Sequence, residues 1–106
     1  MASEGFVKYE YLQTVELLTV ILSRKDTIQG TELLYSTYKL LAETFKKLAK
    51  WDYAIFYYEL LERHYQNVSD FDNMYLIQYE KAVVYYSSYR IVEAIKLLKT
   101  LISISN

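Results

Sequence analysis

Cysteine and proline are absent from this 106-residue chain, and glycine occurs only twice, as Gly5 and Gly30. Without cysteine there is no disulfide, no thiolate metal site and no thiol nucleophile. Without proline, and with no glycine beyond position 30, nothing punctuates the rest of the chain in the way that hairpins and strand turns require. Helix throughout is the expectation. Histidine is nearly missing as well, since His64 is the only one.

A surplus of charge of one sign is lacking too. Twelve basic residues stand against 13 acidic ones, for a net charge of −1 and a pI near 5.8. Nucleic-acid binders carry a basic surplus gathered on one face. The nearest thing to it is Lys46, Lys47 and Lys50, which reads as a solvated helix end where cations complement the dipole. Long hydrophobic runs are also absent: the most apolar stretch, Val15 to Leu22, contains Glu16 and falls short of the roughly 20 residues of a membrane span. Met1-Ala2-Ser3-Glu4 has neither the basic start nor the small-residue cleavage site of a signal peptide. A cytoplasmic protein with no membrane association is expected.

What is present suits a folded domain. Apolar residues make up 53% and charged residues 24%, the balance of a globular chain, and the length suits one core. Residues 1–106 are therefore read as a single domain.

Helical periodicity divides that domain into five. A first helix is expected over about residues 3–23, with Val7, Tyr11, Val15, Leu18 and Leu22 on one face. A loop over residues 26–31 contains Gly30, and Thr31 is placed to cap a second helix reaching about residue 50, whose buried face carries Leu34, Tyr38, Leu41, Phe45 and Leu48. The apolar phase then shifts at Ala49-Lys50-Trp51-Asp52 with no loop between, so a very short turn leads into a third helix to about residue 65. Gln66-Asn67-Val68-Ser69-Asp70 is the next break, with Ser69 or Asp70 as cap and Asp72 favouring the dipole of a fourth helix to about residue 88. A fifth follows over about residues 91–104, bearing Ala94, Leu97, Leu98, Leu101 and Ile104.

The last four helices form two hairpins that repeat each other. Leu41/Lys81, Ala42/Ala82, Phe45/Tyr85, Ala49/Tyr89, Ala54/Ala94, Tyr58/Leu98 and Leu61/Leu101 recur at one offset, the 40 residues between Ala54 and Ala94. Only Leu41/Lys81 and Ala49/Tyr89 change character. Self-similarity at such a period marks stacked helical units, each burying its apolar face on a neighbour. Within the first unit, Leu41-Ala42, Phe45, Ala49, Ala54 and Tyr58 fall where a tetratricopeptide repeat has its Leu-Gly, Tyr, Gly, Ala and Phe, and Lys50-Trp51-Asp52-Tyr53-Ala54 looks like that family's tight turn. In the second, Ala82, Tyr85, Ala94 and Leu98 agree, while Gln78, Lys81 and Tyr89 depart and the family's terminal proline is missing from both. Over residues 33–101 the chain thus resembles a divergent tetratricopeptide-like array, with a longer period than the family's roughly 34 residues. Carried backwards, the offset puts Thr14, Leu18 and Ile21 in the second half of an incomplete earlier unit. The fold class expected is all-α: five antiparallel helices stacked as about two and a half tetratricopeptide-like hairpins, with a plain five-helix bundle as the alternative.

That resemblance implies a protein-interaction module whose inner groove is lined by first-helix residues. The matching positions are Ser36, Lys39, Glu43 and Lys46, then Leu76, Tyr79, Val83 and Tyr86, a polar set followed by an apolar one. The partner-binding residues expected are Lys39, Glu43, Lys46, Leu76, Tyr79, Val83 and Tyr86, for a protein or peptide partner; the competing reading packs the apolar set into the core. Lys39 matches a lysine with which some members hold a C-terminal carboxylate, but Glu43 stands where those carry asparagine and would repel that ligand. The 13 tyrosines, among them Tyr57-Tyr58 and Tyr85-Tyr86, must bring some ring surface to the periphery, because neighbours on a helix point about 100° apart.

Both terminal helices are apolar around much of their circumference, where an isolated array has polar outer faces. One of them is expected to be covered by a second copy or a partner, at about 800 Å² per side. A homo-oligomer through the terminal helices follows.

No enzyme is expected. His64 stands among Glu59, Glu62 and Arg63 near a helix end, where surface pairing and the dipole account for it. No metal ligand set, phosphate loop or cofactor motif occurs. Two further functional readings stay open: a helical subunit of a nucleic-acid or regulatory assembly, using the tyrosines and Lys46, Lys47 and Lys50, and a peptide-sensing regulatory domain.

Overall fold

Three turns of one geometry organise the molecule, in a computed structural model that describes residues 4–28 and 31–105. At each, the chain passes through a left-handed residue, Ala49 at φ 57°, Ser69 at φ 58° and Tyr89 at φ 66°. The residue after it donates its N–H back across the turn: Lys50 to the Phe45 carbonyl at 2.8 Å, Asp70 to Tyr65 at 2.8 Å and Arg90 to Tyr85 at 2.7 Å. The left-handed residues themselves donate to Lys46, Gln66 and Tyr86 at 3.1 Å. These are Schellman closures, which satisfy the last carbonyls of one helix and launch the next within three residues. The acceptors in the first set, Phe45, Tyr65 and Tyr85, are all aromatic.

The closures delimit five long helices and one short turn: α1 over Glu4–Leu22, α2 over Lys25–Ile28, α3 over Glu32–Lys47, α4 over Trp51–Asn67, α5 over Phe71–Ser87 and α6 over Ile91–Ser105. The protein is all-α, and no strand occurs among the described residues. Because the left-handed residues lie 20 residues apart, the smallest repeated element is one helix with its turn, half the period seen between hairpins. Consecutive helices from α3 to α6 pack side by side, and α1 packs on α3. A slab of 42 × 38 × 19 Å results.

Several boundaries differ from expectation, and the turns say why. The second long helix stops at Lys47 rather than residue 50, because the left-handed Ala49 diverts the chain; the third runs on to Asn67, because its break waits for Ser69. Part of the expected loop, Lys25–Ile28, is a helical turn, while Gly30 lies outside the described residues. Thr31 takes the N-cap position of α3 in extended conformation, but its side chain makes no capping bond. Of the two candidates before α5, Asp70 is the cap, accepting from the Asn73 N–H at 3.3 Å, while Ser69 is the left-handed residue. Lys50 lies past the end of α3, so Lys46, Lys47 and Lys50 do not share one helix terminus.

The core runs through the middle of the slab: Leu34, Tyr38, Ala42, Ala54, Ile55, Tyr58, Leu61, Ile77 and Val84 form one cluster. All four alanines of the repeat pattern, Ala42, Ala54, Ala82 and Ala94, are buried, as positions of close helix approach must be. Complete burial of a leucine-sized side chain is worth about 1.5–3 kcal/mol, so Leu41 and Leu61 are among the chief contributors. Thr37 and Thr44 enter this interior because their hydroxyls donate to the Leu33 and Leu40 carbonyls, each at 2.6 Å. Burial fades at both ends: on α6, Leu98 and Ile104 are exposed, since no helix of the described chain lies over them.

Candidate functional site

Two grooves run beside α5. The first, about 350 Å³, lies between α3 and α5; its lining includes Lys39, Glu43, Lys46 and Lys47 from α3, Tyr65 from α4, and Asn73, Leu76 and Glu80 from α5. It stands between the first helices of the two hairpins, and it brings together four of the expected partner-binding residues, Lys39, Glu43, Lys46 and Leu76. The second, about 800 Å³ and more open, is formed by Asp72, Tyr75, Leu76 and Tyr79 of α5 with Leu98, Leu101, Ile102 and Ile104 of α6.

The expected binding face is therefore divided. Leu76 borders both grooves, Tyr79 belongs to the second, and Val83 and Tyr86 line neither. Tyr79 and Tyr86 are exposed and Val83 half-buried, so the apolar set is not packed away as core. Ser36 is exposed on α3 outside both linings.

Charge in the first groove is partly spent within the protein. Lys46 Nζ lies 3.0 Å from Glu80 Oε2, a bond from one wall to the other. Lys39 and Lys47 stand in no ion pair among the described residues. Beneath this wall the Tyr58 hydroxyl is buried and makes no hydrogen bond of good geometry, with the Glu80 carboxylate close enough to act on it. Burial first, then the negative charges of Glu80 and Glu43, hold its pKa well above the usual tyrosine value. The wall thus offers two cationic tips over an interior that resists further negative charge.

A second polar cluster lies between α4 and α5. Lys81 Nζ is 2.8 Å from Glu62 Oε1 and 3.7 Å from Glu59 Oε2, and Gln78 Nε2 donates to Glu62 Oε2 at 2.8 Å. Glu59 and Glu62 therefore pair across helices instead of with Arg63 and His64 beside them, and they account for Lys81 and Gln78, two departures from the family pattern. His64 stacks on Tyr35, with ring centroids 3.5 Å apart and planes 12° apart. Among the described residues no three histidine or acidic side chains gather as a metal site, and no helix is long and apolar enough to cross a membrane.

The aromatic abundance is largely structural. Phe45 stacks on Tyr53 and Tyr57 at 5.0 and 5.9 Å, Tyr57 meets Tyr38 at 5.9 Å, and the Arg90 guanidinium lies 4.7 Å above the Tyr85 ring. Each tyrosine pair straddles a boundary: Tyr58 is buried beside half-buried Tyr57, and Tyr86 exposed beside half-buried Tyr85. Sequence reasoning missed Glu80 and Glu62. One signal was there for Glu62, since a lysine in a leucine column requires a buried counter-charge.

Comparison with family models, with curated proteins and with solved structures finds no match to this chain.

Proposed function

We propose that the chain is a cytoplasmic, non-catalytic protein-interaction module of tetratricopeptide-like build, whose groove between α3 and α5 receives an extended peptide segment. The observation that carries this is the convergence of Lys39, Glu43, Lys46 and Leu76 on one groove from helices that the repeat places side by side. The Schellman turns and buried alanines at repeat positions support the family likeness, because a stacked array holds its first helices at a fixed spacing.

The chemistry of the walls selects the ligand. With Lys46 paired to Glu80, Lys39 and Lys47 outweigh Glu43 and attract a side-chain carboxylate, while Leu76 and the Tyr65 ring suit an apolar neighbour. Titratable groups elsewhere serve packing pairs, so catalysis is no part of this reading.

The test is selection from a randomised peptide display library against the whole chain, followed by calorimetry on the peptides recovered. Enrichment of peptides with an acidic and an apolar residue, whose affinity drops about tenfold with Lys39→Ala and again with Leu76→Ala, is the expected result. Peptides that bind equally well to both variants overturn the assignment, and so does the absence of any enrichment. Single-stranded DNA at low salt serves as the contrasting probe, and tight binding to it would favour the nucleic-acid reading instead.

A further inference from the structure

We infer that the second groove is a self-association site: it seats α6 of a second copy, antiparallel to α6 of the first, in a two-fold symmetric dimer. The inference goes beyond the peptide-groove reading and concerns the other side of α5, Leu76 being the one residue that lines both grooves.

The repeat itself shows what fills such a groove. Leu98, Leu101 and Ile102 stand 40 residues after Tyr58, Leu61 and Glu62. In the first hairpin those three residues lie under a helix: Tyr58 and Leu61 share the core cluster with Ile77 of α5, and Glu62 receives Lys81 and Gln78. In the second hairpin no helix of the described chain lies over the same positions: Leu98, at 37% exposure, and Ile102 are exposed and Leu101 is half-buried. A helix is therefore the shape this surface accepts.

The chemistry of the occupant follows from one replacement. Where the first hairpin offers α5 the carboxylate of Glu62 and takes a lysine, the second hairpin offers Ile102, so the helix it takes must be apolar at the facing position. Two faces of the chain compete for that place. The outer face of α1 sets exposed Gln13 and Glu16 among Tyr9, Leu17 and Val20, and an apolar groove would bury Glu16 without a counter-charge. On α6, Ile91, Ile95, Leu98 and Ile102 are all exposed and stand at steps of four, three and four, the seam of a paired helix with no polar residue in it.

That spacing reads the same in both directions. Antiparallel pairing sets Ile91 against the second copy's Ile102 and Ile95 against its Leu98, so one patch serves both partners, as a two-fold interface requires. It also brings the Arg90 end of one α6 to the Asp72 end of the groove on the other, placing opposite charges together. Association of this kind closes after two copies.

Sedimentation equilibrium and cross-linking on the whole chain test the inference. The expected mass is twice 12.7 kDa at tens of micromolar. Ile95→Glu and, separately, Ile102→Lys should give monomers that keep the helical circular-dichroism spectrum, because both sites are exposed. Leu17→Glu on α1 should leave the dimer intact. For orientation, Ile91→Cys protein mixed with Ile102→Cys protein should form a mixed disulfide, while Ile91→Cys alone should not cross-link. A monomer at several hundred micromolar overturns the inference. A dimer dissolved by Leu17→Glu, or one undisturbed by both α6 variants, does the same, and efficient Ile91→Cys self-linking rules out the antiparallel arrangement. Peptide binding, measured on the Ile95→Glu monomer with and without Lys39→Ala, reports separately on the groove between α3 and α5.

Discussion

Lys81 occupies a leucine's place. Its ammonium lies 2.8 Å from Glu62 Oε1, across the contact between α4 and α5, in a column whose other members are Leu41, Leu61 and Leu101. Charge at this register is tolerated because Glu62 and Glu59 approach from the facing helix and Gln78 takes the second Glu62 oxygen. The arrangement ties the second hairpin to the first through a pair that is mostly but not wholly withdrawn from water.

Breaking that pair should cost more than replacing it. Lys81→Ala leaves Glu62 without its closest counter-charge and is expected to lose about 2 kcal/mol, less than the 3–5 kcal/mol of a fully buried pair because Glu62 keeps some water. Lys81→Leu combined with Glu62→Gln removes both charges, restores the leucine column and retains a partner for Gln78. Its stability should return to within about 1 kcal/mol of the parent. Urea denaturation of Lys81→Leu, Glu62→Gln and the double variant, beside Lys81→Ala, closes the cycle; equal losses in the two singles and the double would contradict it.

Positive φ without glycine is a standing cost at the three turns. Ala49, Ser69 and Tyr89 each hold a left-handed conformation that costs about 1–2 kcal/mol for a residue with a Cβ. Each change to glycine should therefore raise stability by about 0.5–1 kcal/mol, after allowing for glycine's greater freedom when unfolded. Val68→Gly, one residue earlier at φ −95°, is the control and should lower stability. Chemical denaturation midpoints give the answer, and a loss at all three left-handed sites would refute the account.

A phenol held neutral in the core makes stability depend on alkaline pH. The folded-state pKa of Tyr58 is raised, chiefly by burial and then by Glu80 and Glu43, above the ordinary value near 10. Below pH 10 the group is neutral folded or unfolded, and the stability it allows is fully present. As pH rises past 10 the unfolded chain loses the proton first, so stability falls by up to about 1.4 kcal/mol per pH unit from this group. Tyr58→Phe should remove that slope and, by deleting a buried hydroxyl that no hydrogen bond of good geometry satisfies, cost little at pH 7. Denaturation of both proteins at pH 7, 10 and 11 measures the difference; parallel curves would disprove the effect.

How legible these features were depended on whether they are local to a helix or lie between helices. The repeat could be read because Ala42, Ala54, Ala82 and Ala94 mark close approaches whose spacing survives in the linear chain, and all four are buried. Helix ends were displaced by one to three residues because the usual glycine is replaced at each turn by alanine, serine or tyrosine, which carry no turn signal. Register put Lys39, Glu43, Lys46 and Leu76 on facing first helices, and these four line one groove. It did not separate Tyr79, because a helix pattern shows which side of α5 a residue occupies but not that α6 flanks it there. The bond from Lys46 to Glu80 was invisible for the same reason, and for Lys81 only the need of a counter-charge could be read, not that Glu62 meets it, since these pairs join residues 34 and 19 positions apart.

The asymmetry between hairpins should appear in how each tolerates extra volume. Ala54 and Ala94 are equivalent by the repeat, and both are buried. Ala54 starts α4, which is packed between α3 and α5, whereas α6 packs on α5 alone and has an open outer face. A leucine at position 54 must push into a cluster closed on both sides and is expected to cost about 2–3 kcal/mol or to prevent folding. At position 94 the helix can move outward, so Ala94→Leu should cost about 1 kcal/mol at protein concentrations too low for association. If α6 pairs with a second copy, outward movement is blocked once the dimer forms. The penalty of Ala94→Leu should then grow with protein concentration while that of Ala54→Leu stays constant, and thermal denaturation over a hundredfold range of concentration would show it. Equal penalties at every concentration would mean that the two hairpins are packed alike.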